Sequence, residues 1–266
     1  MIEALLILLV LVGYAGGTTG LLLEAYGARH LGERTTLALG LLGVFAHAAM
    51  LFAPHIAGIS SGTHFFRALS LVSWAMGLVT LFTTGRTRAR VLLVVIWPLA
   101  LLAALLGAFA PSTAGDMGRG WQIRLHIVIA LSAYAVLSIA ALQALAVAWQ
   151  ERSLRRKRWT STLRALPPLS AMESLLFQYI VAGFALLTLT ILSGALFIDD
   201  WMAQHLVHKT VLTLLAWVVF GVLLFGRLRF GWRGRTAVKF TLVGMAVLLL
   251  AFFGSKFVLE MVLGRT

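Results

Sequence analysis

The residues best equipped for chemistry in this 266-residue chain are its seven histidines. An imidazole offers a nitrogen lone pair at neutral pH and can ligate a metal or a haem iron. His47 and His126 fall inside long apolar blocks, whereas His55, His64, His205 and His208 lie near block ends and His30 sits in a basic stretch. No cysteine is present, which excludes disulfides, thiolate metal sites, iron–sulfur clusters and thioether chemistry by this chain alone. The nine Asp and Glu residues lie in loops or near helix ends, so the intramembrane carboxylates of a proton-driven pump or cation carrier are missing. There is no phosphate-binding glycine loop, no ATPase motif and no nucleophile–base constellation, and the chain is not expected to be an enzyme.

The two internal histidines share a setting. Gly40, Gly43, His47 and Met50 form one stripe at three- and four-residue spacing, and His126, Ala130 and Ala133 form another. Small residues beside an imidazole leave room either for a flat ligand or for a closely packed helix. A neutral imidazole with arginines nearby suits an anionic macrocycle, here non-covalent haem b. His47 and His126 are then the candidate iron ligands, and Arg67, Arg119 and Arg124 the candidate partners of its propionates through charge-assisted hydrogen bonds. The alternative is that each imidazole bonds across helices or stands near the membrane interface. The residues alone leave both open.

The elements that must position these side chains follow from composition. Hydrophobic residues make up 61% of the chain and charged residues 12%. A soluble domain carries about 25% charged residues, so this chain could not solvate its surface as a globule. A helix needs about 20 apolar residues to cross a bilayer. Eight blocks qualify: Ile2–Leu23, Thr35–Phe52, Phe66–Thr83, Val91–Ala110, Arg124–Trp149, Leu175–Ile198, Leu206–Phe225 and Val238–Leu259. The dyad alternation of a membrane barrel is absent. The sequence therefore predicts an all-α, polytopic transmembrane domain spanning 1-266, with the first block retained as a helix because it has no basic flank. His47 and His126 each stand about five residues from the outer ends of their helices, roughly 8 Å in at about 1.5 Å of rise per residue.

Orientation follows from the loops. Those after the first, third, fifth and seventh blocks, extended to Lys239, hold 16 of the 22 basic residues, including Arg155-Arg156-Lys157-Arg158. Cytoplasmic loops carry the Lys/Arg excess, so both termini face outward. This also accounts for the net charge of +13 without nucleic acid. The cluster Arg155–Arg158 serves orientation, with a partner or anionic lipid as the alternative. Gly13/Gly17 and Gly16/Gly20 read as helix-packing pairs. Trp121, Trp149, Trp201 and Trp232 sit near interfaces, and Trp74, Trp97 and Trp217 lie deeper, in the core or around a pocket. Ser170-Ala171-Met172-Glu173, after Pro167-Pro168, matches a capping box that starts the sixth helix.

Three stretches carry a family resemblance. Trp121-Gln-Ile-Arg-Leu-His126-Ile-Val-Ile-Ala-Leu-Ser132-Ala-Tyr134-Ala resembles the His-plus-Ser-Tyr helix of the cytochrome c assembly family (CcsA-, CcmC- and CcmF-like haem-handling membrane proteins). Phe45-Ala-His47-Ala resembles that family's early intramembrane histidine. The run from Lys209 through Ala216-Trp217 to Gly231-Trp232-Arg233-Gly234-Arg235, then Phe253-Gly254, resembles its C-terminal portion. The chain is most similar to the small eight-helix, YpjD-type branch. The resemblance implies a protein of the bacterial inner (plasma) membrane that passes or holds haem at the outer face, with lipid, haem and other membrane or cytochrome-maturation proteins as partners. The family's tryptophan-rich loop before Lys209 is replaced here by Asp199-Asp200-Trp201, a second membrane histidine near Phe225-Gly226 is absent, and so is an outer histidine after the last helix. Two readings result: a haem-binding protein using His126 and His47, or a cofactor-free assembly or regulatory subunit keeping the fold.

The charge asymmetry generates a first prediction. Reporter fusions at both termini should score as external, and a reporter placed in Arg155–Arg158 should score as cytoplasmic. An internal amino terminus would overturn the orientation.

Overall fold

The computed structural model describes residues 2–25, 32–56, 65–84, 90–109, 120–157, 166–197 and 204–254. These residues form eight helices, all long and apolar enough to cross a membrane, and no strand. They are α1 (Ile2–Ala25), α2 (Glu33–Ile56), α3 (Phe65–Thr84), α4 (Arg90–Phe109), α5 (Trp121–Arg155), α6 (Leu169–Phe197), α7 (Gln204–Phe230) and α8 (Arg235–Leu249). A wider π turn, Leu250–Gly254, follows α8. Within the transmembrane domain expected over 1-266, two compact units form, one holding α1–α4 and one holding α5–α8.

In the first unit α1 lies against α2 and α4, and α3 against α4 and α2. The close approach of α1 to α2 is made by glycine. A Cβ on Gly13 would overlap the Gly43 backbone, and one on Gly17 would come 2.7 Å from the Trp97 ring. The same ring fills the space above Gly40. The expected small-residue stripe of α2 is therefore occupied by protein: Trp97 lies over Gly40, and Tyr14 over Gly43. Trp97 is fully buried and its indole N–H has no hydrogen-bond partner among the described residues. Ring volume, not the polar group, is what the site selects.

In the second unit α5 lies along α6 and α8, and α7 joins α6 to α8. Boundaries differ from the apolar blocks for local reasons. The α5 helix continues past Trp149 to Arg155, where Glu151 and Arg155 form an i,i+4 ion pair of 2.9 Å in the polar turns. The α6 helix starts at Leu169, six residues early. Its first N–H groups, of Ala171 and Met172, donate to the Pro168 carbonyl. The expected capping box is not made by Glu173, whose carboxylate instead accepts the backbone N–H of Gly234 at 2.9 Å. That bond ties α6 to the start of α8, where Gly231 and Gly234 take positive φ values that a side chain would resist.

Inside a membrane a hydroxyl finds no water, so it must bond locally. Thr80, Thr190 and Thr241 each donate to the carbonyl four residues back. Trp217 donates its indole N–H to Thr188 Oγ1 at 2.9 Å, and its ring stacks on Phe184.

The glycine contacts generate a stability prediction. Gly40→Ala drives a methyl into Trp97 and should cost about 1–3 kcal/mol, read as a lower thermal midpoint of the detergent-purified protein. Gly77→Ala is the control. Its Cβ would meet Val44 at 3.6 Å, an ordinary contact, so it should be neutral or mildly stabilising.

Candidate functional site

His47 sits at the centre of the first unit and is completely buried. Both ring nitrogens are engaged. Nδ1 lies 3.2 Å from the Tyr14 hydroxyl of α1, and Nε2 lies 2.8 Å from Ser70 Oγ of α3. The Tyr14 ring meets the imidazole edge-on. Either tautomer satisfies the pair, because each hydroxyl can donate or accept. Arg67, one helical turn from Ser70, donates from Nη2 to the Leu51 carbonyl of α2 at 2.8 Å. His47 thus pins three helices together, and an iron could take it only if Tyr14 or Ser70 let go.

His126 is built differently. It lies in the first turns of α5, half-buried, on a stretch from Trp121 to Ser132 in which no residue is buried. Its Nδ1 is 2.9 Å from Ser193 Oγ on α6. The Ser193 hydroxyl donates its single proton to the Thr190 carbonyl at 3.1 Å. With its proton on that carbonyl, Ser193 accepts from the Nδ1–H tautomer of His126, which has its lone pair on Nε2; with the proton turned to Nδ1 the hydrogen lies on Nε2 instead. Nε2 makes no hydrogen bond among the described residues. Gly194 is the reason the imidazole can lie so close: a Cβ there would stand 3.3 Å from Cε1. Metal-binding histidines characteristically donate their second ring N–H to a fixed acceptor, which sets tautomer and ring orientation.

The remaining expected residues fall as follows. Arg124 is exposed, two residues before His126 in the same unit. Arg67 belongs with His47 in the first unit. Arg119, His64 and the segment Asp199-Asp200-Trp201 lie outside the described residues, as do the side chains of His55 and His205. His208 is exposed on α7. Ala133, on the stripe of His126, is fully buried, so that stripe runs into the helix interface while its N-terminal end stays open. Tyr134 is a packing residue. Its hydroxyl donates to the Leu248 carbonyl at 2.8 Å, and its ring lies against Phe252 and Phe253 in the π turn.

At Gly226 itself a histidine has no room. The Trp232 ring lies over Gly226, whose Cβ would overlap it, and is flanked by Phe230 and Phe240. Ser193 and Gly194 were not singled out from sequence, and neither were Tyr14 and Ser70. The signal available for the first pair was a small polar Ser-Gly step near the outer end of an otherwise apolar helix.

Comparison with known proteins gives a consistent result. The family described as "Cytochrome C assembly protein" matches residues 36–263. The chain is 33% identical over 264 residues to inner membrane protein YpjD of Escherichia coli strain K12, covering 96% of this chain and 98% of that one. It is 21% identical over 229 residues to cytochrome c biogenesis protein CcsA of Prochlorococcus marinus strain MIT 9303, covering 72% and 71%. A Synechococcus protein of the same name, from strain RCC307, is 24% identical over 225 residues. No solved structure matches.

The contrast between the two histidines generates a prediction. Tyr14→Phe and Ser70→Ala each leave a buried imidazole nitrogen without a partner and should each cost about 1–3 kcal/mol of stability. Ser193→Ala should change the thermal midpoint much less, because His126 is half-exposed. Equal shifts in all three would show that His126 is as much a core residue as His47.

Proposed function

The chain belongs to the cytochrome c assembly protein family, which supports a role in cytochrome c biogenesis, and we propose that it fills this role by holding b-type haem in the inner membrane, with His126 as the iron ligand. One observation carries the reading: Ser193 holds His126 through Nδ1 alone, and Nε2 makes no hydrogen bond among the described residues. The residues fit the group. Nε2 is unbonded among the described residues and Gly194 keeps the ring edge clear, while Arg124 is exposed nearby on a different face of α5. Bound there, haem would supply an iron centre able to accept an imidazole nitrogen. The protein's part would be to hold and orient His126 through Ser193, with Arg124 as the nearby cation. It acts by binding, not by catalysis. In this reading His47 is a core residue whose two hydrogen bonds hold α1, α2 and α3.

The second reading, a cofactor-free subunit, draws on His47: a family histidine here has both nitrogens engaged by protein hydroxyls. The two separate cleanly by spectroscopy. Protein made in haem-sufficient cells should show a Soret band, and His126→Ala should abolish it or open a coordination site. Ser193→Ala should weaken haem affinity on the order of 10-fold through lost orientation, with Ser193→Thr restoring it. Arg124→Gln should weaken it modestly, and His208→Ala should not. Wild-type protein with no Soret band and no uptake on haem titration would leave the cofactor-free reading.

A further inference from the structure

At the end of the second unit opposite His126, a cavity of about 510 Å³ opens between the last turns of α5 and the first turn of α8. Its walls carry five cations, Arg152, Arg155, Arg156, Arg235 and Lys239, and a single carboxylate, Glu151; Ala148 and Val238 form its apolar floor. Glu151 is already committed. It accepts from Arg155 Nε at 2.9 Å and lies 3.5 Å from Arg235 Nε, which bridges α5 to α8. Arg152, Arg156 and Lys239 have no acidic partner among the described residues. A concave site with this excess of positive charge is built for an anion.

The walls also say what kind of anion. On α5 the stripe Arg156–Arg152–Ala148 continues three residues further to Leu145, which is 51% exposed. On α8, Lys239 is followed four residues later by Val243, 46% exposed. Both rows turn from cationic to lipid-facing apolar surface within about one helical turn, at the depth where headgroups give way to acyl chains. A soluble anion has no use for those rows. We infer that this cavity binds the phosphate of an anionic phospholipid, with Arg152, Arg156 and Lys239 around the headgroup and the acyl chains lying along Leu145 and Val243. Positive-inside orientation places it in the cytoplasmic leaflet, where anionic headgroups attract clustered Lys and Arg. The site lies at the opposite end of α5 from the haem proposal and stands independently of it.

The test uses the full-length protein in micelles doped with equimolar phosphatidylglycerol and phosphatidylcholine, with bound lipid counted by mass spectrometry. Wild type should retain phosphatidylglycerol over phosphatidylcholine on the order of 10-fold, and Arg152→Gln/Lys239→Gln should bring the ratio near parity. Arg152→Lys/Lys239→Arg should keep the preference, which separates charge from folding. Arg229→Gln/Arg233→Gln removes two exposed cations that do not line the cavity and should also keep it. Loss of preference in that control would reduce the effect to general surface charge and overturn the site. Equal retention of both lipids by wild type, or displacement of phosphatidylglycerol by millimolar inorganic phosphate, would overturn the lipid assignment, the latter in favour of a free phosphate ligand.

Discussion

The absence of water in the hydrocarbon layer is the constraint from which the rest of this structure follows. A polar group placed there gains most by finding a partner within the protein, and nearly all do, the Trp97 indole N–H being one that does not among the described residues. Most do so inside one helix, as the threonines do with the carbonyl four residues back. A few reach across helices, and those bonds organise each unit: Tyr14–His47–Ser70 in the first, Tyr134 to Leu248 in the second. Hydrophobic packing cannot assign neighbours in a solvent as apolar as leucine, so small residues and such bonds decide which helix faces which.

The same constraint gives two histidines opposite meanings. His47 is enclosed and doubly bonded, and its ring is mortar between helices. His126 has one nitrogen fixed and the other bare, an arrangement that is stable only because its end of α5 is open. Family membership alone does not distinguish them, since the matched range 36–263 holds both. Local hydrogen-bond accounting does: His47 uses both ring nitrogens, whereas His126 is bonded through Nδ1 alone among the described residues.

Much of the fold was legible in the sequence because bilayer thickness imposes a length on apolar runs, and eight such runs became eight helices. What the runs could not convey was their polar extensions. Arg155 stays helical through a salt bridge, and Leu169 starts early because Pro168 offers a carbonyl. The capping-box pattern at Ser170–Glu173 located the start of α6 to within one residue, although the Glu173 carboxylate bonds the N–H of Gly234, 61 residues on. The glycine stripe of α2 was ambiguous. Its vacancy was real in sequence, yet Trp97, on another helix, fills it. At the candidate site His126 and Arg124 could be found by type and depth. Ser193 could not, since its role depends on a partner on the neighbouring helix.

The Trp232 ring over Gly226 makes the two positions interdependent. Any side chain at 226 would overlap the indole, and Phe230 and Phe240 close in on the ring. A larger residue at 226 overcrowds the space and a smaller one at 232 leaves it hollow, so the pair can be exchanged only together.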